Sequence, residues 1–264
     1  MPTDHNPLAF LRSLWRILAG RPQTPPSLRD NALLGVLLQR RSVRSFDSRP
    51  IPDDVFAAIL EAGRLAPSTV NLQTWAFGTF TAESWRATFA AAIPFRGQRA
   101  VIVMGDTHRV RSVADAFPDS PLVEYTVAVM NASLAAMAMN IAAEALGVSS
   151  VMLSETGRTG LLDAGYLKEK LALPDGVFPL LTIVFGYARG LRPPMPPKLP
   201  LDQICFEGRY REPEPGVIAD WLAQMAAGYK ASHPFSSFDA QLRVYWSKIG
   251  QAEADLRAMI FHGE

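Results

Sequence analysis

Residues 126 to 143, Thr-Val-Ala-Val-Met-Asn-Ala-Ser-Leu-Ala-Ala-Met-Ala-Met-Asn-Ile-Ala-Ala, carry no charge over their whole length. That run constrains the fold more than any other. A helix that is apolar all round must bury most of its surface, in a bilayer or in a protein interior. The length alone would allow a membrane span. Three features argue against one: the stretch is rich in Ala rather than Leu or Ile, Asn131 and Asn140 interrupt it, and Glu124 and Glu144 flank it. The reading that remains is a long central helix whose small residues permit close helix–helix contact at a subunit interface.

The 264 residues fit one domain with extensions, or at most two small ones. Hydrophobic content of 48% with 19% charged residues suits a sizeable core. A formal charge of +1 gives no argument for nucleic acid or an acidic partner. One cysteine, Cys205, excludes an internal disulfide framework and suits a reducing, cytoplasmic setting. Four scattered histidines and that one cysteine make a structural zinc site a poor reading. Neither a glycine-rich dinucleotide fingerprint nor a phosphate-cradling loop with Lys-Ser/Thr is present.

Residues 8 to 19 read as a short amphipathic helix, begun at Pro7 and stopped at Gly20, with Phe10, Leu11, Leu14, Trp15 and Leu18 on one face. It could anchor at a membrane surface. With only Arg12 and Arg16 to attract lipid, an arm packed on the protein body or on a partner subunit is favoured. Residues 21 to 26 form a linker. Residues 31 to 39 read as a helix with Leu33, Leu34, Leu37 and Leu38 inward, and residues 53 to 64 as a second, with acids in its first turn where the dipole favours them. Strands are expected at 75–80, 100–105, 147–153 and 178–187, and helices between the first two strands and at 166–173, 216–232 and 238–260. The proline-rich residues 189 to 200 cannot be regular.

Two short segments carry the chemistry. The first, Arg40-Arg41-Ser42-Val43-Arg44-Ser45-Phe46-Asp47, gathers three guanidinium groups and a hydroxyl. Arginine offers planar, permanently charged donors that suit a phosphate. The second, Ala66-Pro67-Ser68-Thr69-Val70-Asn71-Leu72-Gln73-Thr74-Trp75, is polar, short in side chain and uncharged. Such a run lets backbone N–H groups approach a planar ligand. Taken singly, the first is most often a solvated face and the second a helix-to-strand turn. Their order, with an apolar helix between them, points to a phosphate-bearing aromatic cofactor.

That combination resembles the nitroreductase-like family of FMN-dependent oxidoreductases. Further matching elements are Ala100-Val-Ile-Val-Met-Gly-Asp, Ala142-Ala-Glu-Ala-Leu-Gly-Val-Ser-Ser-Val-Met-Leu and Pro197-Lys-Leu-Pro-Leu-Asp-Gln, so the likeness covers roughly residues 30 to 212. It implies an α+β, three-layer fold with a central, mostly antiparallel sheet flanked by helices, and an intimate homodimer. It divides the chain into an N-terminal helical arm and linker (1–26), an FMN-binding domain (27–212) and a C-terminal helical extension (213–264).

The resemblance also assigns the site. Arg40, Ser42 and Arg44 would meet the ribityl phosphate and the N1–O2 region of FMN, and Arg41 stands where the family varies among basic residues. Pro67, Ser68, Asn71 and Gln73 would meet the isoalloxazine, usually from the other subunit; Thr74 replaces a commoner Pro, and Trp75 reads as core. Met152, Leu153 and Ser154 would lie against one flavin face, with Ser154-Glu155 where the family often has two glycines, so that a carboxylate there would disfavour anionic substrates. Lys198 would reach the phosphate, its usual basic companion being Pro196 here. The family's pyrimidine-edge amide is missing from the run Ala90-Ala91-Ala92, with Gln98 and Arg96 as substitutes.

The activity this implies is ping-pong transfer from NAD(P)H to electron-poor acceptors such as nitroaromatics, quinones or free flavins, with no protein acid or base named. The K-L-P-L element and long tail look closest to the NADPH-preferring branch, although no site that selects NADPH over NADH can be read. Alternatives are divergent flavin chemistry on the same fold (dehalogenation, azoline oxidation, flavin cleavage) or a non-catalytic flavin-binding dimer.

Overall fold

The computed structural model describes residues 7–154 and 161–261. In chain order its helices and strands are α1 (Pro7–Ala19), α2 (Ala32–Gln39), α3 (Asp53–Arg64), β1 (Trp75–Thr81), α4 (Ala82–Phe89), β2 (Arg99–Asp106), α5 (His108–Arg111) and α6 (Pro121–Ala145). Then follow β3 (Ser149–Leu153), α7 (Ala164–Lys170), β4 (Val177–Gly186), α8 (Pro215–Ser232) and α9 (Phe238–Ile260). The chain divides into two units, one of Met1–Pro25 with Pro193–Ser247 and one of Pro26–Arg192 with Lys248–Glu264. Residues 193 to 212 therefore group with the terminal helices, and the end of the chain groups with the sheet.

The sheet unit is α+β. Its strands run in the order β1-β2-β4-β3, each antiparallel to its neighbours. The two inner strands are β-branched-rich and buried along nearly their whole length, as strands covered on both faces must be. Alternation sends Val101, Val103, Ile183 and Phe185 to one side, where α3 and α6 cover them. Ala100, Ile102, Met104 and Val184 face the other side, with Trp85 of α4 and Leu167 of α7. The register between β2 and β4 slips between Val103 and Met104, so that Met104 pairs with Pro179. A proline cannot donate to a ladder, and a bulge is where a sheet tolerates one.

The central helix is longer than the uncharged run and sits very low on the sheet. A side chain at Gly105 would bring its Cβ within 2.8 Å of Ala128 Cβ, and one at Gly63 of α3 within 2.7 Å of Met139. Ala128, Ala132, Ala135, Ala136 and Ala143 are all buried. The small residues thus serve contact with the sheet and α3, correcting the expectation that they face another subunit. The larger residues Leu122, Met130, Leu134 and Met137 are the exposed ones. Among the described residues α6 alone is long and apolar enough to cross a membrane, and its inner face is the core of the sheet unit.

Helix α3 has the bounds read from the sequence. Most other ends differ by one or two residues, and two of the shifts have a local cause. β3 starts at Ser149 because Gly147 turns the chain at φ +74°, and α7 stops at Lys170 because Ala172 is left-handed. Of the four leucines of α2, Leu34 and Leu38 are half-buried; Leu33 and Leu37 point outward, contrary to the inward face assigned to all four.

In the other unit α1 packs along α8. Ile17 Cδ1 lies 3.1 Å from where a Gly228 Cβ would stand, and Arg16 forks onto Asp220 at 2.7 and 2.6 Å. The buried positions of α1 are Ser13 and Ile17, with Phe10 and Leu14 half-buried; Leu11, Trp15 and Leu18 are exposed, correcting the face read from the sequence. Apolar residues nearly encircle this helix, so α8, not periodicity, selects the face. Ile17→Ala should therefore destabilise the protein by about 2–4 kcal/mol, and Trp15→Ala by no more than about 0.5 kcal/mol. Urea denaturation of the two variants checks this, and the larger residue dominating would contradict it.

Candidate functional site

The arginine segment begins at the end of α2. Arg40 is the C-cap, its backbone N–H donating to the Val36 carbonyl at 3.1 Å. Arg41 curls back, its Nη1 donating to the Leu38 and Arg40 carbonyls at 2.8 and 2.7 Å. Its guanidinium therefore closes the helix. Ser42 then forms a parallel bridge to Ser150 of β3, and Val43 N–H donates to the Ser150 carbonyl at 3.0 Å. Val43 and Phe46 turn into the core, and Arg44 turns outward. Among the described residues the guanidinium groups of Arg40 and Arg44 have no hydrogen bond or ion pair. Arg49, exposed in the turn that follows, stacks over the Tyr187 ring at 3.3 Å.

The second segment leaves α3 as a tight loop. Val70, Asn71 and Gln73 all have φ between 50° and 57°. That conformation costs a non-glycine residue on the order of 1–3 kcal/mol, most for a β-branched one. Pro67, Val70, Asn71 and Gln73 are exposed and Ser68 is half-buried. Ser68 Oγ accepts from Gln73 N–H at 3.0 Å. Asn131 of α6 holds both ends: its Oδ1 accepts from Thr69 N–H at 3.0 Å and the Thr69 hydroxyl at 3.2 Å, and its Nδ2 donates to Thr74 Oγ1 at 2.8 Å. Trp75, beyond the loop, is core as expected, stacked on Phe77.

On β3, Met152 is half-buried, Leu153 buried and Ser154 exposed. Glu155, where the sequence suggests a carboxylate beside the site, lies outside the described residues. Asn140 of α6 donates to Ser150 Oγ at 2.6 Å, and its own Oδ1 is buried with no partner among the described residues. Gln98 Nε2 donates to the Asp47 carbonyl at 3.0 Å, so this amide ties the arginine segment to β2 and is not a free substitute for the missing one. Arg96 is exposed on a left-handed turn. Lys198 is exposed in the other unit. Among the described residues no three His, Cys, Asp or Glu side chains gather to hold a metal.

The two segments do not meet within one chain. The first lines the β3 edge and the second feeds β1 at the opposite edge, with β2 and β4 between. Three strand spacings separate the edges by about 14 Å. The anchors agree: Asn131 and Asn140 are separated along α6 by about 13.5 Å of helix.

A family model described as the nitroreductase family matches residues 37–94 and 81–187, more than half of the chain. The chain belongs to the nitroreductase family. A relative from Salmonella typhimurium, an oxygen-insensitive NADPH nitroreductase, is 26% identical over 205 residues, covering 74% of this chain and 81% of its own. The NADPH-flavin oxidoreductase of Vibrio harveyi is 25% identical over 207 residues, covering 75% and 83%. Among solved structures, that of B. megaterium NfrA2 superposes with a TM-score of 0.71 at 20% identity over 89% of this chain and 99% of that one. This likeness shows the same fold. The nitroreductase fold here thus comprises the three layers and the antiparallel sheet expected from the sequence.

The anchors Asn131, Asn140 and Thr74 went unassigned by sequence. A signal existed: an amide inside an otherwise apolar helix must find a partner once buried. The partners divide the arginines. In urea denaturation of flavin-free protein, Arg40→Ala and Arg44→Ala should change stability by no more than about 0.5 kcal/mol. Arg41→Ala, which opens the end of α2, should lower it by about 0.5–1.5 kcal/mol. An equal loss in all three would mean that Arg40 and Arg44 are structural.

Proposed function

We propose that this nitroreductase-family chain is an FMN-dependent oxidoreductase that uses NAD(P)H to reduce electron-poor small molecules such as nitroaromatics, quinones or free flavins. The observation that carries this reading is the pair of guanidinium groups, Arg40 and Arg44, without partners among the described residues, on a segment pinned to β3. Unpaired arginines on a rigid backbone are the donor set that a phosphate monoester requires, so the residues fit the group.

Arg40, Ser42 and Arg44 would hold the phosphate and ribityl end, a role the resemblance also gives to Lys198, with Arg41 acting through the end of α2. Pro67, Ser68, Asn71 and Gln73 would meet the ring system, and Met152, Leu153 and Ser154 would back it. Bound FMN supplies hydride acceptance and delivery, for which the chain need only hold reactants near contact distance and exclude water. Donor and acceptor would occupy the same place in turn, the ping-pong order.

We further propose a homodimer. One chain carries its two segments on opposite sheet edges, so a complete site draws them from two copies. The exposed Leu122, Met130, Leu134 and Met137 form an apolar stripe along α6, the kind of surface that a second copy would cover. The exposed, free Cys205 suits a reducing compartment, and we read the protein as cytoplasmic.

The purified protein should show a flavin absorbance spectrum that bleaches on NADPH addition and returns when a quinone is added; a colourless protein that takes up no FMN would contradict the proposal. Arg44→Ala should weaken FMN binding roughly tenfold to a hundredfold. Arg49→Ala should leave affinity unchanged and shift stability by about 0.5–1 kcal/mol through the lost ring contact. Light scattering after gel filtration should give twice the 28.9 kDa chain mass. Met130→Asp with Leu134→Asp should give the monomer, together with loss of flavin.

A further inference from the structure

The left-handed loop after α3 has a feature that its own residues do not explain. Val70 is 87% exposed. Its side chain gains nothing from packing, yet its backbone sits where β-branched residues are least at ease. Something else must hold it there. The loop's internal bonds are turn contacts: Asn71 N–H to the Ser68 carbonyl at 3.1 Å, Leu72 N–H to the Thr69 carbonyl at 3.0 Å and Gln73 N–H to Ser68 Oγ at 3.0 Å. Among the described residues the side chain that reaches in from another element to bond the loop is Asn131, which is 1% exposed. Its carboxamide spans the loop, accepting from Thr69 before the left-handed residues and donating to Thr74 after them. Thr74 is itself fully buried, and its carbonyl accepts Asp106 N–H at 3.1 Å. The loop is thus fastened between the central helix and the turn that ends β2.

We propose that Asn131 is a positioning residue for cofactor binding: its carboxamide clamps residues 69–74 in the left-handed form that presents Ser68, Asn71 and Gln73 to the flavin. The proposal rests on the flavin reading above. Without the clamp, the loop relaxes toward ordinary backbone regions and the cofactor must reorder it on binding, which lowers affinity.

The chemistry of the clamp makes it separable from bulk stability. Asn131→Ala removes all three hydrogen bonds. Asn131→Asp keeps an acceptor for Thr69, and the Thr74 hydroxyl can rotate to donate; the buried carboxylate lowers stability while the loop stays fastened. Leu167→Ala, in the core on the other face of the sheet, lowers stability and touches neither loop nor clamp.

The test is made on the full-length protein, stripped of flavin and held well below the melting point of every variant. Hydrogen–deuterium exchange of the peptide covering residues 66–75 reads the loop, and FMN titration by fluorescence reads affinity. Asn131→Ala should speed exchange in that peptide and raise the FMN dissociation constant by roughly tenfold or more. Asn131→Asp should recover near wild-type affinity despite its lower melting temperature, and Leu167→Ala should keep wild-type affinity. Faster exchange in Asn131→Ala with unchanged affinity would overturn the proposal, as would unchanged exchange, or affinity that tracks melting temperature across the three variants. If wild-type protein takes up no FMN, the flavin reading itself fails, and this proposal with it. That result is distinct from a wild type that binds while the variants fail to differ.

Discussion

The seating of α6 on the sheet is the contact on which everything else depends. Gly105 beneath Ala128, and Gly63 of α3 against Met139, let three elements approach at distances that any side chain would forbid. Close-packed interiors transmit displacement because they hold no slack. A helix seated this low becomes a rigid ruler. Its inner face supplies core, and its two amides, Asn131 and Asn140, emerge where the loop after α3 and the β3 strand are fastened. A higher-riding helix with bulkier residues could supply the core but could not reach the loop and the β3 edge with side chains as short as asparagine.

That ruler explains how strain and order coexist. The loop after α3 keeps three residues left-handed with little packing of its own, and the segment after α2 leaves two arginines without partners among the described residues. Neither arrangement is one that a free peptide would choose. Both become affordable because the neighbouring scaffold is over-determined: every buried position of β2 and β4 is filled, and both faces of the sheet are covered.

The sequence was most legible where residue chemistry is asymmetric. The acids Asp53 and Asp54, the apolar stripe of Phe56 and Ile59, and the following Pro67 fixed α3 to the residue. It was least legible where chemistry is uniform. In α1 and α2 most positions are apolar, so the buried face depends on what lies opposite, which periodicity does not encode. The arginine cluster was visible as a cluster, but which of its members closes the helix is a matter of carbonyl positions at the end of α2. The separation of the two segments to opposite edges follows from the strand order, and strand order is a long-range property that no window of sequence contains.

The bridge between Ser42 and Ser150 does more than hold the arginine segment. It occupies one rung on the outermost strand of a sheet whose edge amides would otherwise be open there. An open edge of that kind is a template for chain-to-chain pairing. Arg40 and Arg44 flank the bridging residue, so the rung that closes the sheet also carries like charges that repel a second such edge. The same few residues therefore guard the protein against aggregation. A substitution that frees this segment from β3 would show itself first as loss of soluble protein, before any change in what the protein binds could be measured.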